Sequence, residues 1–223
     1  MDALNVKIPE LGPEQERHQL HHLYYFHDPM CSWCWAFRPL WNEIVTGLPD
    51  HVTAQRVLGG LAPDTDQPMP ADMQAKLQGI WQKIQQAVPG TQFNFDFWEN
   101  CSPRRSTYLA CRAVIAAKKQ GIDNEEPMIL AIQQAYYLEA RNPADLNTLI
   151  ELSERMGLDR ECFLADINSQ TINQVLMEEI AFTQKLNVNG FPTLLLENSG
   201  VFTHIRHDYQ SAILVLDQVK QLC

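Results

Sequence analysis

The chain has 223 residues, of which 45% are hydrophobic and 20% are charged, and its 17 basic and 27 acidic residues give a formal net charge of −10. This length and composition suit one domain with a large insertion, or two small lobes that share a core. The acidic balance and the lack of a Lys/Arg-rich block argue against nucleic acid or an anionic membrane surface as a partner.

The start of the sequence has no basic segment followed by an apolar core and a small-residue cleavage site, so no secretory signal peptide is predicted. No apolar run reaches the length of about 18 residues that suggests a membrane helix. We therefore expect a cytoplasmic location, in which thiols stay reduced. The six cysteines are then interpreted as a reactive pair and four ordinary thiols.

Residues 9–22 contain prolines, a glycine and a polar run, which predict an irregular lead-in. His18, His21 and His22 form a small cluster within it. We expect a solvated segment ahead of the first strand, with opportunistic metal binding as the alternative interpretation.

The apolar, aromatic run 23–26 predicts a buried strand, and residues 36–41 predict a helix, so Cys31 and Cys34 lie at a strand-to-helix junction. Unpaired N–H groups and the dipole at a helix start favour negative charge, which favours the thiolate of Cys31. Cys31 is therefore the predicted nucleophile of thiol-disulfide exchange, and Cys34 the resolving thiol. At this spacing the two face the same side of a helix, so a disulfide can close between them.

A C-x-x-C pair is also half of a four-ligand zinc site, but no second such pair is present. The other four cysteines are scattered, at Cys101, Cys111, Cys162 and Cys223. A structural zinc site and a purely structural disulfide stay open as lesser alternatives.

Residues 51–58 alternate well enough for a second strand, which Gly59 and Gly60 end, and a parallel pairing with a right-handed crossover is expected. Helical periodicity then dominates residues 66–185, with one helix start expected at Ser102 and Pro103. Residues 193–197 and 201–206 predict a hairpin, which a closing helix follows.

The segment Asp28-x-x-Cys31-Ser32-Trp33-Cys34 resembles the D-x-x-C-P-W-C signature of the FrnE-like, DsbA-related branch of the thioredoxin superfamily. Val188 to Thr193 resembles the second signature of that superfamily, a loop with a cis proline, here Pro192, against the cysteines. Two motifs in the right order are more specific than either alone.

The resemblance implies an α/β, thioredoxin-like fold with a large all-helical insertion, as in DsbA. The implied boundaries are a thioredoxin-like lobe formed by residues 18–62 and 187–223, and an inserted helical lobe formed by residues 63–186. The residues themselves predict only a helical insertion between two halves of a small sheet.

The Gly190–Phe191 segment ahead of Pro192 is predicted to pair its backbone with an extended substrate over Cys31. Trp33 is expected to offer an apolar contact to the substrate, although a tryptophan beside a strand end often packs inward.

This sequence departs from the family pattern at Ser32, where the signature has proline, so the redox potential cannot be carried over. It departs again at Tyr25, where DsbA-like oxidases carry a buried acid. Proton handling for Cys34 is therefore assigned to Asp28 or His27.

The predicted function is that of a thiol-disulfide oxidoreductase or isomerase, acting on protein or small disulfides through Cys31 and Cys34. No metal, nucleotide or flavin is expected, and glutathione or a thioredoxin-type reductant is the expected redox partner. The main alternative is a glutathione-dependent transferase or isomerase of the kappa or hydroxychromene-carboxylate-isomerase type, which a true C-x-x-C pair disfavours. A zinc-binding interaction module is the lesser alternative.

Overall fold

A computed structural model describes residues 21–223, so His18 and its neighbours lie outside the described part of the chain. Strands and helices follow in the order β1 (His21–His27), α1 (Ser32–Gly47), β2 (Val52–Leu58), α2 (Ala71–Ala87), α3 (Phe97–Asn100), α4 (Tyr108–Lys119), α5 (Glu125–Tyr137), α6 (Leu146–Arg155), α7 (Arg160–Ile167), α8 (Gln170–Lys185), β3 (Thr193–Asn198), β4 (Val201–Ile205) and α9 (Ile213–Leu222). A short 3-10 helix precedes α5. None of the described helices is long and apolar enough to cross a membrane.

The four strands form one sheet in the order β2-β1-β3-β4, in which β1 pairs parallel with β2 and antiparallel with β3. Side chains of β1 alternate between the two faces of the sheet. Leu23 and Tyr25 pack with α1 and α9, whereas Tyr24 and Phe26 pack towards Phe182 of α8. The sheet with helices on both faces confirms the predicted α/β class.

Seven helices, α2 to α8, lie between β2 and β3. The helix α4 is central to this block, because it packs against α5, α7 and α8. Its buried face is built largely from small side chains, which let neighbouring helices approach closely: Ala110, Cys111, Ala113, Val114, Ala116 and Ala117. The lobe boundaries drawn from the sequence stay a prediction.

The expected helix start at Ser102 and Pro103 is wrong, because α4 begins at Tyr108. Tertiary contacts keep the intervening residues extended: Arg104 forms an isolated bridge with Pro68. The short helices α3 and α7 were not predicted, since α3 has only four residues and the apolar residues of α7 do not gather on one face.

The prediction that the histidine segment precedes the first strand is also wrong for the two histidines that the structure describes. His21 and His22 belong to β1, and only 6% of the His21 surface is exposed. His22 pairs in register with Thr53 of β2, and its Nδ1 is 2.6 Å from Thr53 Oγ1.

Glu179 of α8 joins the helical block to β2, since its carboxylate accepts the backbone N–H of Leu58 at 2.5 Å. Burial raises the pKa of Glu179 from 4.5 to about 7, and the Leu58 N–H and Lys118 only partly oppose this. The folded state therefore favours the protonated acid. The contribution of Glu179 to stability is complete below its pKa in the unfolded chain, near 4.5, and is lost as the pH rises through about 7.

Ionisation of Glu179 should make the free energy of unfolding of the wild type fall between pH 4.5 and 8. In Glu179→Gln we expect this fall to be smaller by an amount on the order of 3 kcal/mol. The amide oxygen can still accept the Leu58 N–H, but the side chain cannot ionise. Urea unfolding at several pH values measures the effect. Glu178→Gln, an exposed neighbour on the same helix, is the control. Equal pH slopes for wild type and Glu179→Gln would contradict the assignment.

Candidate active site

The two cysteines of the C-x-x-C motif lie at the start of α1. Cys31 is the residue before the helix, with extended backbone (φ −83°, ψ 116°), and its N–H donates to the Asp28 carbonyl at 3.0 Å. Cys34 lies in the first turn and is fully buried, whereas Cys31 is 7% exposed. Both are free thiols, as are the other four cysteines. The junction thus exposes one thiol slightly and covers the other.

Cys34 interacts with two side chains, the Cys31 thiol and the Tyr25 hydroxyl. Burial raises the pKa of Cys34 well above its ordinary value, and the neighbouring Cys31 raises it further. The pKa of Tyr25 is also raised well above 10, by burial first and then by Cys34. Tyr25 therefore keeps its proton and can donate a hydrogen bond to a Cys34 thiolate.

The loop before β3 lies against Cys31. The Cys31 thiol donates to the Phe191 carbonyl across 3.5 Å, and the Phe191–Pro192 peptide bond is cis. The Pro192 carbonyl oxygen is 3.3 Å from Nε2 of His207, and the Gly190 carbonyl accepts the hydroxyl of Thr193. The two signature motifs, far apart in sequence, therefore meet at one place.

Gly59, immediately after β2, lets Phe191 reach this position. A Cβ on Gly59 would lie 1.9 Å from Cζ of the Phe191 ring, which is far inside van der Waals contact. The backbone N–H of Gly59 donates to the His27 carbonyl at 2.7 Å, so this glycine is fixed beside the end of β1. Its missing side chain is thus a requirement of the loop that faces Cys31.

The two residues between the cysteines, Ser32 and Trp33, are only partly exposed to solvent. Trp33, between the cysteines, is half-buried and its ring lies 5.1 Å from that of Tyr209. Ser32 is similarly half-buried. A groove of about 440 Å³ opens beside this helix start, with Trp35 and Tyr209 among its lining residues. Its lining runs along α1 from Trp35 to Glu43 and includes residues 88–92, so the groove extends along the helix away from the cysteines.

Asp28 joins the cysteine loop to the helical block. Its buried carboxylate accepts the N–H of Met30 at 2.8 Å, the N–H of Leu61 at 2.7 Å and the hydroxyl of Thr107 at 2.6 Å, and Cys111 Sγ lies 3.6 Å away. Burial raises the pKa of Asp28, and these hydrogen bonds lower it in part. The carboxylate is engaged by four groups other than Cys34.

His27 is buried and stacks on Tyr25 with ring centroids 4.9 Å apart. Burial first, then the nearby Arg56 and Arg38, lowers the pKa of His27 to about 3. A neutral imidazole with so low a pKa is a poor acceptor for a proton from Cys34. His27 and Cys34 line the same small cavity, but this low pKa argues against the proton-handling role for His27, which stays a prediction.

Behind Cys34 lies a small polar cavity with room for about one water molecule. Charged side chains from three elements line it, namely Arg38 of α1, Arg56 of β2 and Glu126 of α5. Glu126 pairs with both arginines, at 2.5 Å from Arg56. Sequence reasoning missed all three, because only the fold brings them together.

Comparison with known proteins identifies the family. Residues 24–210 match the family model described as Thioredoxin. The chain belongs to this family. Among solved structures, this thioredoxin-family chain is similar to a candidate protein disulfide isomerase from Nitrosomonas europaea, with 26% identity, a TM-score of 0.79, and coverage of 91% of this chain and 98% of the other.

A second similar structure is the cytosolic disulfide reductase DsbM from Pseudomonas aeruginosa, with 24% identity, a TM-score of 0.70, and coverage of 90% of this chain and 96% of the other. DsbM has also been solved with GSH. The ClpXP adapter protein SpxH of Bacillus subtilis is 25% identical over 178 residues, which cover 79% of this chain. The thioredoxin-family chain spans 58% of the length of that relative, and 62% of the SpxH of Halalkalibacterium halodurans.

Proposed function

We propose that this chain is a thiol-disulfide oxidoreductase that works through Cys31 and Cys34. The observation that carries the proposal is the meeting of the free cysteine pair, at the start of α1, with the Phe191 carbonyl beside Pro192. Membership of the thioredoxin family and the likeness to disulfide oxidoreductases support it.

The proposed reaction is the reduction of a disulfide in two exchanges. The Cys31 thiolate attacks one substrate sulfur, which breaks the substrate disulfide, forms a mixed disulfide and releases one substrate thiolate. The Cys34 thiolate then attacks Cys31 Sγ and releases the second substrate thiolate. The enzyme ends with a Cys31–Cys34 disulfide, and two thiols of glutathione, or one dithiol of a thioredoxin-type reductant, restore the pair.

Cys34 needs help to lose its proton, because burial holds its pKa high. We propose that Tyr25 stabilises the Cys34 thiolate by donating a hydrogen bond, in place of the buried acid found in DsbA-like oxidases. The small cavity lined by Arg38 and Glu126 has room for about one water molecule, which we propose accepts this proton. Asp28 acts as a positioning residue, since its backbone carbonyl holds the Cys31 N–H.

Substrates are proposed to bind along the groove beside Trp35 and Tyr209 and to lie against Gly190 and Phe191. Trp33 and Ser32, half-buried between the cysteines, would line the near end of such a peptide. We propose that the pair reduces substrate disulfides in the cytosol, because the similar protein DsbM is described as a cytosolic disulfide reductase. Isomerisation of a non-native disulfide uses the same first step.

Equilibration in glutathione redox buffers, followed by alkylation and peptide mass analysis, tests this function. We expect Cys31 and Cys34 to convert together in one two-electron transition while the other four cysteines stay alkylatable. Cys31 found only as a glutathione adduct would favour the glutathione transferase or isomerase alternative, as would conjugating activity that survives Cys34→Ala. A pair that never oxidises would contradict the proposal.

Gly59→Ala is expected to slow reduction of a disulfide peptide by about 10²-fold, since the added Cβ drives the Phe191 ring and its carbonyl away from Cys31. Single-turnover kinetics measures the effect. Gly79→Ala is the matched control, because a Cβ there meets no atom within 4 Å. A wild-type rate for Gly59→Ala would show that the Phe191 position is not needed.

A second candidate function is delivery of a protein to ClpXP, because the sequence relatives carry the name ClpXP adapter. Degradation by purified ClpXP, with and without this chain, tests it. If the adapter function does not use the thiols, the Cys31→Ser/Cys34→Ser double variant should promote degradation as well as the wild type does. The same double variant would be inactive in disulfide reduction, so the two functions are separable.

A further inference from the structure

We propose that His21, His51 and Cys223 form a binding site for a divalent transition-metal ion of the zinc type. One ring nitrogen of each histidine and the Cys223 sulfur all lie within 4.8 Å of one another. The three residues come from the start of β1, the turn before β2 and the residue after α9. The site is distinct from Cys31 and Cys34, and it does not depend on the proposed oxidoreductase function.

Hydrogen bonds fix each of the three ligand positions. The N–H of His21 donates to the His51 carbonyl at 2.9 Å, and the two rings meet edge to face with centroids 5.7 Å apart. The N–H of Cys223 donates to the Val219 carbonyl at 3.1 Å, which continues the last turn of α9. The Leu222 carbonyl accepts the side-chain amide of Asn198 at 2.9 Å, so the sheet fixes this helix end.

The donor set suits zinc, which binds imidazole nitrogen at about 2.0–2.1 Å and thiolate sulfur at about 2.3 Å. Ligand atoms around such an ion are roughly 3.5 Å apart, so a pair at the 4.8 Å limit would close by roughly 1.3 Å. Cys223 is exposed, so its sulfur can make this movement by a side-chain rotation. Water completes a tetrahedral site in which three protein ligands leave one position open.

A second observation points to a ligand at the same place. Only 6% of the His21 surface is exposed, yet its Nδ1 has no hydrogen-bond partner among the described residues. A buried polar atom without a partner is costly and uncommon. Coordination through Nδ1 would satisfy it. His22, by contrast, is already engaged by Thr53 and Gln55.

The bound ion would tie α9 to the first residue of β1. The strand β1 runs from His21 to His27, so the ion lies about 20 Å from the cysteine loop at the other end of the strand. Its expected role is therefore to fasten the end of the sheet and not to take part in chemistry at Cys31.

The test is a Co²⁺ titration of the full chain, without a histidine tag, in a Cys31→Ser/Cys34→Ser background that removes the competing thiols. We expect one equivalent to bind with a thiolate-to-cobalt absorption band, and Zn²⁺ to displace it. Adding Cys223→Ser should abolish the band and weaken Zn²⁺ binding by more than about tenfold. Adding Cys162→Ser, an exposed thiol on α7, should change neither.

Thermal unfolding of the same proteins gives an independent readout. Zn²⁺ should raise the unfolding temperature of the background protein and of Cys162→Ser, and leave that of Cys223→Ser unchanged. His51→Ala should behave like Cys223→Ser. No cobalt band in the background protein, or a band that survives Cys223→Ser, would overturn the proposal. Circular dichroism confirms that each variant is folded before the metal is added.

Discussion

Cys34→Ala should accumulate a stable mixed disulfide between Cys31 and its substrate, and steady-state disulfide reduction should fall by about 10³-fold or more. Cys34 is the buried thiol that interacts with Cys31, so its loss removes the step that frees the enzyme. Cys31→Ala should lower turnover by at least as much, and it should form no mixed disulfide with the substrate. Non-reducing gels and intact-protein mass spectrometry detect the adduct.

Cys111→Ala is a demanding control for these variants, because Cys111 is another fully buried thiol close to the cysteine loop. It contacts Asp28 and not Cys31, so turnover should change far less than in Cys34→Ala. Adduct formation by Cys31→Ala would show that another thiol is the nucleophile. Rapid release of substrate by Cys34→Ala would show that resolution does not need Cys34.

Asp28→Ala should lower the free energy of unfolding by about 3 kcal/mol or more. The substitution leaves the N–H groups of Met30 and Leu61 and the Thr107 hydroxyl without their acceptor, in a site closed to water. Denaturant unfolding measures the loss. Because these donors belong to the cysteine loop, the segment after β2 and the segment before α4, the damage should spread across all three.

Thr107→Val separates the parts of this prediction, because it leaves the carboxylate in place and removes only the Thr107 hydroxyl, which donates to Asp28 and accepts the N–H of Ala62. We expect a loss of about 2 kcal/mol from it. Asn has nearly the same size as Asp, but only one of its two side-chain polar atoms can accept a hydrogen bond. The loss of unfolding free energy in Asp28→Asn should therefore lie between the losses in Thr107→Val and Asp28→Ala. An Asp28→Ala protein as stable as wild type would show that the buried carboxylate does not hold these segments together.

The regular elements of the sheet could be predicted from local sequence because their signals are local. The apolar run 23–26, the alternation in 51–58 and the turn at 198–200 each carry their own pattern, and β1, β2 and the β3–β4 hairpin lie where they predict. The start of α4 could not be predicted. Ser102 and Pro103 have the chemistry of a helix start, but distant partners hold the next residues extended.

The candidate site divides in the same way. The C-x-x-C motif and the Gly190–Pro192 loop carry signatures of their own, and the fold brings them into contact. Thr107 reaches the site from the residue before α4 and Glu126 reaches it from α5, at positions with no motif to mark them. The pKa values of the site depend on burial and on such distant charges, so no local pattern could give the low pKa of His27.

The place of β1 in the sheet also bears on the order in which the protein can assemble during synthesis. Leu23 pairs with Ala54 about 30 residues away, but with Leu196 roughly 170 residues away. The helices α4 to α8 contact one another over much shorter separations and can form first. In a chain stopped before residue 193, β1 would lack its partner β3 and would present an open strand edge, a form that is prone to associate with other chains.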